Sequence, residues 1–241
     1  MLALMKYNYK LFIKTNKFFV PLLVYIGFIA IFYNGGSNTL EMDAIFTCGI
    51  LFFLFLLIGY IFLDGASNIT EQVIYLKINN FYKYFSSKIL FLFLINVLIS
   101  IISLIIPILF DVLKYNCTLV NETSFDKFIL VFIVFVISSY LGSIIGMIFT
   151  TRITHNRNKS FLLLGFIALF TLLKNPIIKD YPFLKYILWI FPPIYNLFTT
   201  FMNGGTININ SLILPIAINL IYCVITTSIF FISMKKILFR N

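Results

Sequence analysis

Charge is what this chain has least of: Asp, Glu, Lys and Arg make up 11% of its 241 residues, and only eight of those are carboxylates. A soluble globular chain is about one quarter charged and half apolar, whereas this one is 61% hydrophobic and 19% aromatic. Soluble enzymes, DNA-binding proteins and secreted disulfide-rich domains are excluded by that balance. A bilayer is the solvent in which such a composition is stable.

Other scarcities narrow the chemistry. The three cysteines, Cys48, Cys117 and Cys223, show no CxxC spacing, which leaves no metal or redox motif, and a Cys48–Cys117 bridge is not specified by spacing. Histidine occurs once, as His155 in TTRITHNRNK, so an intramembrane Ser-His pair and HExxH are both missing. Asp64 and Asp111 fall at opposite ends of their apolar runs, which rules out a paired-aspartate protease, because acid-base work needs two groups in reach of one bond. No GxxxxGK[ST] loop is present, so ATP is not bound by that route. No cleavage site follows the first apolar run, and no cleavable signal is expected.

What the chain does have is apolar runs between basic clusters. Six are free of ionisable residues: Phe18 to Tyr33, Ala44 to Leu63, Ile89 to Phe110, Phe128 to Thr151, Ser160 to Leu173 and Ser211 to Met234. Most reach the roughly 17–25 residues a helix needs to cross the hydrocarbon; the first and fifth borrow a turn from their flanks, with Lys17 or Lys174 snorkelling. The stretch Tyr186 to Phe201 is broken by Pro192 and Pro193, and two prolines block a continuous helix.

With six spans, thirteen of the eighteen basic residues share one side with both termini. The positive-inside rule makes that side cytoplasmic, and it makes residues 174–209 a re-entrant or interfacial hairpin on the outer face. The expected fold is all-α: a single polytopic membrane domain over 1–241 with six transmembrane helices, an N-terminal interfacial helix over 1–17, a cytoplasmic loop over 64–88 and the outer hairpin before the last span. The net charge of +10 thus orients the chain and gives no basic stripe for nucleic acid.

Within this frame several patterns stand out. Leu4, Tyr7 and Leu11 repeat at helical spacing beside Lys6, Lys10, Lys14 and Lys17, the signature of a helix lying on the inner leaflet and attracted to anionic lipid. The 64–88 loop carries Val73, Ile74, Ile78, Phe81, Tyr82 and Phe85 at roughly helical spacing among Glu71, Lys77 and Lys83; it reads as an interfacial cap or as a docking helix for a partner. Ser138, Gly142 and Gly146 form a small-residue stripe suited to close helix packing, within the chain or across a dimer seam. Asn96, Ser100, Ser103, Pro107 and Asp111 lie along one face of the third run, with a weaker set, Asn219, Tyr222 and Thr226, in the last. Such stripes hydrogen-bond a neighbouring helix or line a path for a polar substrate group. Coupled carriers keep ionisable residues at mid-membrane; none is here, so uphill transport would draw its energy from another polypeptide.

The order of these parts resembles the membrane subunit of a type-2 ABC exporter, over the whole chain by layout: amphipathic N-terminus, six spans, a docking-type loop between spans two and three, a short basic loop between four and five, and an outer hairpin before span six. Chains of this size are similar to the bacteriocin-immunity and amphipathic-peptide exporters of low-GC Gram-positive bacteria. The resemblance implies a homo- or heterodimer of permease subunits in the bacterial plasma membrane, both termini cytoplasmic, moving an amphipathic peptide, antibiotic or lipid-like substrate. It implies cytoplasmic ATPase subunits as partners, which bind ATP and Mg while this chain holds no cofactor, no metal and no catalytic residue. Glu71 through Ser87 match the coupling region and Arg152 through Lys159 the smaller contact, which nominates Glu71, Tyr75, Lys77, Phe81, Tyr82, Arg152, His155 and Arg157 for docking. Asn96, Ser100, Ser103, Asn219 and Thr226 are nominated for the path. Two other classes compete: a vitamin-type substrate-capturing subunit with a closed pocket in one chain, and an assembly or insertion factor, whose translocase-core form would need an intramembrane carboxylate.

Overall fold

The computed structural model describes residues 1–34, 40–65, 68–78, 80–113, 125–189, 191–198 and 209–238. Helix α1, Leu2–Thr15, ends at Asn16, whose left-handed backbone (φ 48°) turns the chain into α2, Phe19–Asn34; asparagine tolerates that conformation better than most residues. Then follow α3, Leu40–Asp64, the short α4, Asn68–Ile78, and α5, Phe81–Leu113. Helix α6 covers Phe125–Ile148, α7 is one turn at Thr151–Thr154, and α8 is Arg157–Asp180. A 3-10 turn at Pro182–Leu184 and a single turn α9, Lys185–Leu188, lead to a helical stretch at 194–198, and α10, Ile209–Leu238, completes the order. Among the described residues there is no strand, as expected where every backbone polar group must be satisfied within its own segment.

Among the described residues, four helical segments are long and apolar enough to cross a membrane: Met42–Asp64, Phe81–Phe110, Phe125–Thr154 and Leu212–Lys236. The pair α1 and α2, bent by 74°, makes a fifth if counted as one broken span. Helix α8 is not counted with them; its apolar centre, Phe161 to Leu173, is flanked by Arg157, Lys159 and Lys174. The described residues thus hold four helices, or five with the bent pair, that suit a membrane by length and composition, which marks the chain as a helical membrane protein.

The core is the α3–α6 pair. Gly142 and Gly146 press against α3 so closely that an added Cβ would fall on the carbonyl oxygens of Phe52 and Leu56; across the seam, a Cβ at Gly59 would fall on that of Ser143. Close backbone approach of this kind gives van der Waals contact where burial from lipid supplies little driving force. The small-residue stripe read in the sequence thus packs within the chain. Gly59, which answers it from α3, carries no comparable stripe of its own.

The third apolar run begins earlier than its composition indicates. Asn80 caps α5, its Oδ1 accepting from the Lys83 amide at 3.0 Å, and Phe81, Tyr84, Phe85 and Lys88 of its first two turns are buried. Residues 81–88, expected to be loop, are the start of a span-length helix, because their apolar and aromatic face packs into the bundle. At the opposite end of the bundle, Pro192 and Pro193 and the helical Ile194, Leu197 and Phe198 that follow them are buried. Residues 190 and 199–208 of the expected hairpin, and Cys117 of the suggested Cys48 pairing, lie outside the described residues.

Candidate functional site

The densest polar chemistry lies where α4, α5 and α7 meet. Glu71 sits in the first turn of α4, where a carboxylate is favoured by the helix dipole, and is 7% exposed. One of its oxygens accepts from Lys88 Nζ and the other from Arg152 Nη1. Lys88 is itself buried, with its ammonium 4.9 Å from the Tyr84 ring centroid and 5.8 Å from that of Phe85, a range in which ring faces attract cations. Burial would raise the Glu71 carboxyl, but the two cations outweigh it and hold the group below the ordinary carboxylate range.

Neighbouring bonds extend the junction. Thr151 Oγ1 of α7 donates to Asp64 at the end of α3, and Asn8 of α1 donates to Ser87 at 3.4 Å, one residue before Lys88. Three sequence-distant segments that precede or follow spans (α1, α4 and α7) therefore converge on the first turns of α5. A buried cluster of two cations and one carboxylate is costly to desolvate and is not by itself a device for stability; its geometry does tie α4 to the start of α5 and to the one-turn α7 that follows α6.

Not all nominated docking residues share one surface. Glu71 and Phe81 are buried, Tyr75 and Arg152 are half-buried, and Lys77, Tyr82, His155 and Arg157 are exposed. On α4 the residues facing the bundle are Glu71, Ile74, Tyr75 and Ile78, while Gln72, Val73, Leu76 and Lys77 form the outward face. Leu76, 75% exposed, is a member of that face that composition alone passes over, and its signal was the i, i+3, i+4 spacing with Val73 and Lys77.

The nominated path residues are all interior to the bundle apart from Thr226. Asn96 donates to Ser143 of α6 at 3.2 Å, and Ser103 bonds Tyr25 of α2, so this stripe joins α5 to two neighbours. Among the described residues Asn96 Oδ1 and Ser100 Oγ have no hydrogen-bond partner, although both residues are fully buried. Thr226 bonds back to the carbonyls of Tyr222 and Cys223 on its own helix.

Asn219 does something its sequence context does not announce. Its amide donates to Pro193 O at 3.3 Å, while Tyr222 donates to Trp189 O and Lys174 Nζ to Phe191 O at 3.2 Å. Three side chains from α8 and α10 thus satisfy alternate carbonyls of the proline-broken segment. Buried backbone outside regular helix needs such partners for its polar groups.

Among the described residues no three His, Cys, Asp or Glu side chains come together to hold a metal. No protein-family profile, no curated protein and no solved structure matches the chain.

Proposed function

We propose that the chain is the permease subunit of an ATP-driven, type-2 ABC exporter in a bacterial plasma membrane, with both termini cytoplasmic. In this reading it moves an amphipathic peptide, antibiotic or lipid-like substrate. It works as a dimer, with ATP hydrolysed in separate cytoplasmic subunits. The observation that carries the reading is the Glu71 cluster: one buried carboxylate binds the short helix α4 to α5 through Lys88 and to the α6–α8 connection through Arg152. A force applied to the outward face of α4 would reach two spans at once, which is what coupling to an external engine requires. The six-span layout belongs to this proposal, with α2 and α8 as its short members and the segment held by Lys174, Asn219 and Tyr222 as the re-entrant hairpin.

The test uses Leu76→Asp, which changes the exposed face of α4 and leaves Glu71 in place. The full chain is co-expressed with any ATPase whose gene neighbours its own and purified in detergent. The expected result is co-purification for the natural chain, its loss in Leu76→Asp, and unchanged membrane insertion in both. A monomeric chain that recruits no ATPase, or a Leu76→Asp variant that recruits it as well as the natural chain, would overturn the proposal.

A second reading, a membrane subunit that captures a small vitamin-type molecule, is favoured by one observation: on α5, Asn96 Oδ1 and Ser100 Oγ, one helical turn apart, are buried without hydrogen-bond partners among the described residues. Buried polar atoms are rarely left so, and a polar ligand would satisfy them. Mass spectrometry of the purified protein separates the two readings, since this one requires a small molecule retained in one-to-one ratio.

A further inference from the structure

The outward surface of α1 is divided lengthwise. Leu4, Asn8, Leu11 and Phe12 face the bundle, with Asn8 and Phe12 buried against α5 through Ser87 and Phe91. Turning around the helix from that face, the next line is Leu2, Tyr9 and Ile13, exposed by 88%, 57% and 44%. Beyond it runs Lys6, Lys10 and Lys14, all exposed at steps of four, with exposed Lys17 just past the helix end. No carboxylate occurs before Glu41, so nothing in α1 or α2 neutralises this row.

We propose that this face of α1 is a phospholipid-binding surface selective for anionic headgroups: Leu2, Tyr9 and Ile13 enter the acyl boundary while the lysine row meets phosphate. The order around the helix carries the proposal. A surface for an acidic protein has no need of an apolar line beside its cations, whereas an interfacial helix needs both, side by side. The bend agrees: with α2 leaving α1 at 74° and bearing the exposed apolar residues Val20, Leu23 and Ile31, an α2 that enters the membrane leaves α1 along its surface. Basic residues near an anionic membrane surface each add attraction that decays within a Debye length, so the selectivity is salt-sensitive. This inference goes beyond the transport reading and stands without it.

The chain's single tryptophan is Trp189, at the other end of the bundle, so Trp189→Phe combined with Tyr9→Trp gives a fluorophore on α1 alone. The full chain is reconstituted into phosphatidylcholine vesicles containing equal fractions of brominated phosphatidylglycerol or brominated phosphatidylcholine. Expected is several-fold stronger quenching by the brominated phosphatidylglycerol, reduced at high salt. The preference should be lost when Lys6, Lys10 and Lys14 are all changed to Gln and kept when all three are changed to Arg. Equal quenching by the two lipids, a preference that survives the Lys→Gln changes, or no quenching by either (a face covered by protein) would each overturn the proposal. Loss of the preference in the Arg variant would overturn it too.

Discussion

Two pairs of helices in this molecule are alike in being long and apolar and differ in how far the chain encloses them. The best apolar windows of α3 and α6 both have mean hydropathy 2.6, and 67% and 61% of those windows are buried within the chain; for α5 and α10 the hydropathies are 3.1 and 2.1, and only 28% and 22% is buried. The most apolar helix is therefore among the least enclosed. Hydropathy reports that a segment suits lipid, and lipid is as good a solvent for Leu as another helix is. What distinguishes α3 and α6 is the ability to bring backbones together, and that rests on Gly59, Gly142 and Gly146.

The sharpest way to break the comparison is to fill the seam. Gly146→Leu is expected to abolish the folded protein, and Gly146→Ala to lower its stability by about 3 kcal/mol, the upper end of overpacking costs, because the added carbon meets backbone rather than a mobile side chain. Gly27→Ala on α2 and Gly165→Ala on α8 meet nothing within 4 Å and should be neutral or stabilising by up to about 1 kcal/mol from helix propensity. Thermal unfolding of the purified variants in detergent, followed by size exclusion, reads both arms. A Gly146→Ala variant as stable as Gly27→Ala would remove the seam from its central place.

Next in size is the charged junction. Glu71→Gln leaves Lys88 buried without its counter-ion, and breaking a buried pair from one side costs about 3–5 kcal/mol. Adding Lys88→Met should recover part of that loss, since removing both charges spares their desolvation. The same carboxyl sets a pH dependence. Its folded value lies below its unfolded value, so its contribution is complete above the unfolded pKa of roughly 4.3 and is lost as pH falls from there through the folded value. Melting midpoints of the natural chain should fall in that acidic window, and the Glu71→Gln/Lys88→Met chain should lack this component.

Smaller effects belong to the proline-broken segment and to the outer helices. Tyr222→Phe removes the donor to Trp189 O and should cost about 1 kcal/mol. Leu98→Ala on α5 and Ile221→Ala on α10, at residues 61% and 59% exposed, should each change stability by no more than about 0.5 kcal/mol. If either is as damaging as Leu56→Ala in the core, where about 2–5 kcal/mol is expected, then that outer face is covered by something the single chain does not supply. A second permease subunit, identical or not, is the occupant the transport proposal requires.

Much of the architecture was legible because membrane segments obey a coarse rule. The apolar runs at Ala44 to Leu63, Ile89 to Phe110, Phe128 to Thr151 and Ser211 to Met234 all lie in long apolar helices, with ends extended by their amphipathic flanks. A helix before the first apolar run and helical spacing within the 64–88 loop were legible too; that Asn80 divides this spacing, starting α5 at Phe81, and that Asn16 turns α1 into α2 were not. The role of Ser138, Gly142 and Gly146 was legible as close packing, though not with which partner. The Glu71 cluster was not: residues 71, 88 and 152 are distant in sequence, and a lone glutamate in a loop looks like any solvated carboxylate. Nor does sequence spacing reveal that Lys174, Asn219 and Tyr222 reach three carbonyls of one segment.

By itself, then, the order of residues determined the solvent, the helical class and the position of the long apolar segments, because those depend on the local density of apolar side chains against the cost of burying charge. Only the tertiary structure decided which helices form the core and where the few ionisable groups go. Both depend on contacts between distant residues: a glycine matters through the backbone opposite it, and a buried charge is tolerable only where its partners arrive from elsewhere in the chain.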